Sequence, residues 1–225
     1  MRYILTFIIG MSGSLFAQEN RMKIALIEGE TKEIKYKDWS INALLIVYDE
    51  TAKTHLNGDV SLSIKTNINE PIVNFYVNND SPKTDCYTKI YGKYLLTFLI
   101  ENDSTYLVIE PAQLGEIFVM SSHNVAVLHC ELDSIEIEIT DVIHEWGYDL
   151  PDSDGNSNYF SDVVYTLKVK TNQVVTYVEF NSSELKNKYF LDVEGYSIVI
   201  LSEKYHDTYS EIEMIIMKKL SNRNE

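Results

Sequence analysis

Residues 59–110, moved forward by 103 positions, fall without a gap on residues 162–213. Asp59-Val60 lands on Asp162-Val163, Lys65 on Lys168, Asn78 on Asn181, Gly92 on Gly195, and Thr105-Tyr106 on Thr208-Tyr209. Few residues are identical, but the spacing of the apolar ones carries over: Val60, Leu62 and Ile64 alternate in the first copy, and Val163, Tyr165 and Leu167 in the second. A second ungapped correspondence, at an offset of 94, places Ile34 on Leu128, and Ile41, Ala43 and Leu45 on Ile135, Ile137 and Ile139. Self-similarity at a fixed period limits the architecture before any local reading does. Here it predicts two tandem units, 18–115 and 116–225, each near the ~100 residues of a small β domain.

Period-2 alternation with Val, Ile, Tyr and Phe enrichment predicts strands. In the first unit they fall near 23–27, 33–36, 40–48, 60–66, 72–78, 94–100 and 105–110. In the second they fall near 116–120, 125–130, 134–142, 162–170, 174–180, 196–202 and 209–217. Turn chemistry separates them, as at Asn57-Gly58, Tyr91-Gly92, Gly155-Asn156 and Glu194-Gly195. Residues 211–220 also fit a helical period; their alignment on the strand after Thr105 decides for strand. The expected fold is all-β, with two antiparallel β-sandwich repeats, immunoglobulin-like or barrel-like.

Residues 1–17 read as a secretory signal peptide, with Arg2, an apolar run and Leu15-Phe16-Ala17 as the cleavage site. The run is shorter than the roughly 18–20 residues of a membrane span. The expected product is exported, to the periplasm or the extracellular space, with no membrane insertion after cleavage. The chain has 19 Lys+Arg against 34 Asp+Glu, a formal charge of −15, or −16 without Arg2. Such a surface repels nucleic acid, which proteins hold through Lys and Arg on phosphate. It suits a basic partner, or simply keeps an exported protein soluble. Cys86 and Cys130 either form a disulfide between the two units, allowed in an oxidising compartment, or remain two thiols.

The difference between the two offsets places the one departure from the repeat. Residues 49–58 of the first unit become 143–161 in the second, a loop nine residues longer. It gathers Trp146, Tyr148, Tyr159 and Phe160, an aromatic group suited to recognition of a protein or a glycan. Asp152, Asp154, Asn156 and Asn158 alternate along it, with Asp162 beyond, which is the oxygen chemistry of a Ca²⁺ loop. The fit to an EF-hand loop is poor, and a solvated Asp/Asn/Gly turn accounts for the same residues. The five histidines show no transition-metal spacing, and no cofactor motif is present. There is no Gly-x-Ser-x-Gly elbow or reactive-cysteine signature, so no enzyme is expected; His144-Glu145 is the only acid–base pair of note. The expected function is that of an exported, non-enzymatic protein-binding or structural protein, for instance an inhibitor or immunity-type protein for a basic partner. A carbohydrate-binding module using the aromatic loop is the alternative, and a hydrolase the third reading.

Overall fold

Alternating apolar positions become strand throughout the computed structural model. It describes residues 20–37, 39–47, 60–65, 71–77, 86–102, 104–122, 124–130, 133–148, 158–172, 174–187, 189–206 and 209–219. The signal peptide expected at 1–17 lies outside them. Contacts divide the chain into two compact units, residues 1–89 with 94–111, and residues 90–93 with 112–225. The described residues are all-β apart from one 3-10 helix, Ser182–Asn187.

The first unit runs β1 (Met22–Leu26), β2 (Thr31–Tyr36), β3 (Trp39–Val47), β4 (Val60–Lys65), β5 (Pro71–Val77), β6 (Cys86–Tyr91), β7 (Tyr94–Glu101) and β8 (Ser104–Pro111). Its strands lie in the orders β2-β3-β4-β5 and β1-β8-β7-β6. The chain passes between them at Glu28-Gly29, where the Gly29 amide donates to the Leu45 carbonyl at 2.9 Å and Gly29 takes φ +74°, a conformation glycine reaches without strain. The facing sides carry the core. Phe75 meets Phe98 at 6.0 Å, Trp39 stacks on Tyr94 at 5.4 Å, and Tyr36 meets Tyr94 edge-on at 5.3 Å.

The second unit runs β9 (Ile117–Ser121), β10 (Val125–Cys130), β11 (Asp133–Tyr148), β12 (Tyr159–Thr171), β13 (Val175–Asn181), β14 (Tyr189–Val193), β15 (Tyr196–Tyr205) and β16 (Ser210–Lys218). Its orders are β10-β11-β12-β13 and β9-β16-β15-β14, the same sequence of neighbours as in the first unit. Within each sheet of a unit the strands pair with a chain neighbour, except the first strand of the unit, which pairs with the last. The chain crosses between the two sheets after the first and the fifth strand of each unit. This is a sandwich-like meander without the Greek-key crossing of an immunoglobulin domain. Tyr165 stacks on Phe180 at 5.1 Å, and Phe180 meets Tyr189 at 5.9 Å.

Where the structure departs from the sequence reading, the reason is local. β6 and β14 were not expected. Each is short, and Asp192 and Thr88-Lys89 interrupt the apolar pattern that marks a strand. The ungapped match at 103 also fails in register beyond β6. Tyr94, Leu96 and Phe98 lie on the same strand face, and Tyr94 and Phe98 contact rings of the facing sheet. In the second unit the buried set on that face is Tyr196, Ile198 and Ile200, an offset of 102. Both turns leave two residues between their strands, but glycine is the first of them in Gly92-Lys93 and the second in Glu194-Gly195. Aligning the glycines therefore shifts the strand by one residue, and a one-residue slip exchanges the two faces of a strand. The slip is hard to see in sequence because Leu95 and Val199, on the other side, are buried as well.

At one end of the second unit, the Tyr165 hydroxyl donates to Glu203 across the sandwich. Burial first, and then the Glu203 carboxylate, hold the phenol well above its ordinary value. The folded chain therefore keeps a proton that the unfolded chain releases above about pH 10. Stability from this group is fully present below that pH and is lost as pH rises from there through the raised folded value. Tyr36 and Tyr209, also raised mainly by burial, add in the same direction. Thermal melts should show the decline above about pH 10, and Tyr165→Phe should flatten part of it. At neutral pH that variant should cost about 1.5–3 kcal/mol, the range for a hydrogen bond to a charged group.

Candidate functional site

β11 and β12 outrun their neighbours. The ladder from β10 ends at Val125 opposite Glu138, and that from β13 ends at Asn181 opposite Val164. Beyond those points the pairing continues through His144–Val163 and Trp146–Ser161 to Tyr148–Tyr159. The segment expected as a loop, 143–161, is therefore largely a two-stranded ribbon: 143–148 and 159–161 are strand, and 149–157 lie outside the described residues. The sequence reading stopped β11 at 142, where the correspondence with the first unit ends; the alternation of the strand also changes phase just before that point. A β-bulge at Thr140 is the cause. Ile139 pairs with Leu167 and Asp141 with Thr166, so one residue is extra and the inward side passes from odd to even positions.

That change of phase sets what each face of the ribbon presents. Ile135, Ile137 and Ile139 face the core; after the bulge, Val142, His144, Trp146 and Tyr148 take that side, opposite Tyr165, Val163, Ser161 and Tyr159. The face that is core inside the sandwich thus continues outward as an aromatic strip. His144 marks its root: its ring lies 5.0 Å from Tyr205, the last residue of β15, and its Nε2 is 2.8 Å from Ser161 Oγ. Beyond it Trp146, Tyr148 and Tyr159 are 68%, 72% and 59% exposed. Tyr148 and Tyr159 meet edge-on at 5.6 Å and 71°.

Phe160 does not join them. It sits on the opposite face across from Gly147, where a β-carbon would lie 3.3 Å from its ring. Glycine at 147 lets the Phe160 ring close over the backbone, a cross-strand pairing that shields a strand glycine. The four aromatics expected as one group are thus three on one face and one on the other. His144 and Glu145 also point to opposite faces, as neighbours in a strand must, so the acid–base pair of the sequence does not assemble.

Asp162, on the Phe160 face, is engaged by its own chain. Its Oδ1 accepts from Ser182 Oγ at 2.6 Å, the Ser183 amide at 3.0 Å and the Val163 amide at 2.9 Å; its Oδ2 accepts from Ser183 Oγ at 2.6 Å. Burial, the largest single influence, pushes its pKa up; the hydrogen bonds from Ser182, Ser183 and Val163 together outweigh it and leave the carboxyl below its ordinary value. It holds the start of the 3-10 helix. Asn158 stands four residues before it, about 13 Å along extended chain, so the two do not ligate one ion. Asp152, Asp154 and Asn156 of the Ca²⁺ reading lie outside the described residues. Among the described residues no three His, Cys, Asp or Glu side chains form a group that would hold a metal. The side chains of Cys86 and Cys130, at the start of β6 and the end of β10, also lie outside the described part.

Asp162→Ala should cost about 1–3 kcal/mol through the donors it leaves without acceptors. A carboxyl whose folded pKa is depressed stabilises the fold above its unfolded value near 4. That contribution is lost as pH falls through the lower folded value. Acid melts of the wild type and of Asp162→Asn should therefore converge at low pH.

The opposite end of β11 and β12 holds a polar hollow of roughly 200 Å³. Its groups satisfy one another: Asn172 Nδ2 donates to Asp133 Oδ1 at 3.1 Å, Ser134 donates to Asn172 Oδ1, and Lys218 pairs with Asp133 at 3.1 Å. Sequence reading missed both this hollow and the set His144, Ser161 and Tyr205. The hollow left no signal in sequence, whereas the phase change at Thr140 was visible. Compared with protein-family models, curated proteins and solved structures, the chain finds no match.

Proposed function

We propose that this chain is an exported, non-enzymatic binding protein made of two tandem β-sandwich repeats, whose second repeat holds a protein partner through the β11–β12 ribbon. The observation that carries the reading is the strip of Trp146, Tyr148 and Tyr159, three large rings exposed on a projecting ribbon. A contiguous exposed apolar surface of this kind marks interaction sites, and Trp and Tyr are the residues that dominate binding energy. The partner is basic. Between Lys93 and Lys168 the chain has no Lys or Arg, and the part from Glu131 to Leu167 carries ten Asp and Glu. Lys and Arg in the partner would gain both from these carboxylates and from the faces of the rings.

The edge-on Tyr148–Tyr159 pair favours this over a glycan, since sugars stack on flat, coplanar ring platforms. Affinity capture with wild type and with the triple variant Trp146→Ala, Tyr148→Ala, Tyr159→Ala tests the proposal. Wild type should recover a protein that the triple variant does not. Recovery of the same protein by both, or saturable glycan binding by wild type alone, would overturn it.

A further inference from the structure

We infer that the partner joins the ribbon as an added β-strand: a cationic, extended segment pairs along the free edge of β11 at residues 143–148. This rests on the ribbon being the binding surface and specifies how it binds. β11 is paired on one side by β12 from Ile135 to Tyr148, but on the other by β10 only as far as Glu138. Past the bulge its outer edge has no partner strand among the described residues, and the side chains of Ile143, His144, Glu145, Trp146 and Tyr148 are exposed. At the near end Asp141 Oδ1 accepts from the Val142 amide at 3.0 Å, which closes that position and leaves the edge beyond it open. The corresponding edge of β12 is obstructed where Ser182 and Ser183 bind Asp162.

An open edge is a template for strand addition, and soluble proteins guard such edges with charge. Here the guard chooses the occupant. A second copy pairing on the same edge would set Asp141 and Glu145 against like charges, which destabilises cross-strand neighbours. A strand carrying Lys or Arg at alternate positions turns those neighbours into ion pairs on the Glu145 face. Its other side chains then lie beside Trp146 and Tyr148. The acidic stretch without Lys or Arg supplies the charge complementarity, and the bulge, by exchanging faces, puts the rings and the carboxylates on opposite sides of one edge.

The test uses the full chain and three synthetic peptides of about ten residues, long enough for a strand, with alternating Lys and Val or Thr. One is unmodified; the others are N-methylated at every second residue, on one edge or on the other. Binding is followed by calorimetry and by amide exchange of residues 143–148. The unmodified peptide should bind and protect those amides. Methylation of one edge should weaken binding at least about tenfold, and methylation of the other should be tolerated, because only one edge of a strand faces β11. The double variant Asp141→Lys, Glu145→Lys should lose the basic peptide and accept a Glu-containing counterpart. Equal binding by all three peptides would sink strand addition while leaving the ribbon as a side-chain docking surface. Absence of binding by the unmodified peptide would overturn the inference, and the capture experiment would still judge the ribbon by itself.

Discussion

Phe180→Ala should destabilise the second unit by about 3–5 kcal/mol, the cost of removing a buried phenyl ring from a packed core. Phe180 is 1% exposed and lies between two rings, stacked on Tyr165 at 5.1 Å and 5.9 Å from Tyr189. Tyr165 belongs to β12 and Tyr189 to β14, so this one side chain links both sheets of the unit to each other. The cavity left by alanine adds to the lost transfer energy because a strand backbone held by its ladder cannot collapse into it. For a domain of about 100 residues the loss corresponds to a fall in melting temperature of roughly 15–30 °C. The control is three residues away. Tyr177 stands on the outer face of the same strand and is 63% exposed, so Tyr177→Ala should stay within about 0.5 kcal/mol. Denaturant titration of the two variants decides the matter. Equal losses would mean that the inward and outward faces of β13 are not as described.

The second large effect is on binding and leaves stability almost unchanged. Glu145 and Asp162 lie directly opposite each other in the ribbon, so replacing 146–161 by Asn-Gly closes it with a two-residue turn at a native register. Asn-Gly suits the primed turns that match strand twist. None of the described residues in the excised part is buried, and Asp162 keeps its bonds to Ser182 and Ser183. The shortened chain should melt within about 1 kcal/mol of wild type, as surface changes do, and should lose its partner completely. His144 also loses Ser161 as a hydrogen-bond neighbour, a small local cost. A shortened chain that still captures the partner would remove the ribbon from the function. One that unfolds would give the ribbon a structural role instead.

Much of the fold was legible because strand alternation is local. Ile34, Ile41, Ala43 and Leu45, matched in sequence to Leu128, Ile135, Ile137 and Ile139, are all buried, and the two units share one strand order. The aromatic residues of the candidate site were legible too, as composition in the one segment the first unit does not match. Their arrangement was not. Trp146, Tyr148, Tyr159 and Phe160 look like one group in a line of text, and strand pairing divides them between two faces.

The sequence by itself determined the all-β class, the inward residues of most strands and the place where the second unit departs from the first. Each of these follows from side chains alternating along a single strand. Only the tertiary structure decided which strands lie side by side, how far β11 and β12 run past β10 and β13, and which way Trp146 faces. Those depend on where neighbouring strands stop, and on one extra residue at Thr140 that exchanges the faces of everything beyond it. Register across strands is settled by the partner strand, which no single strand's own pattern contains.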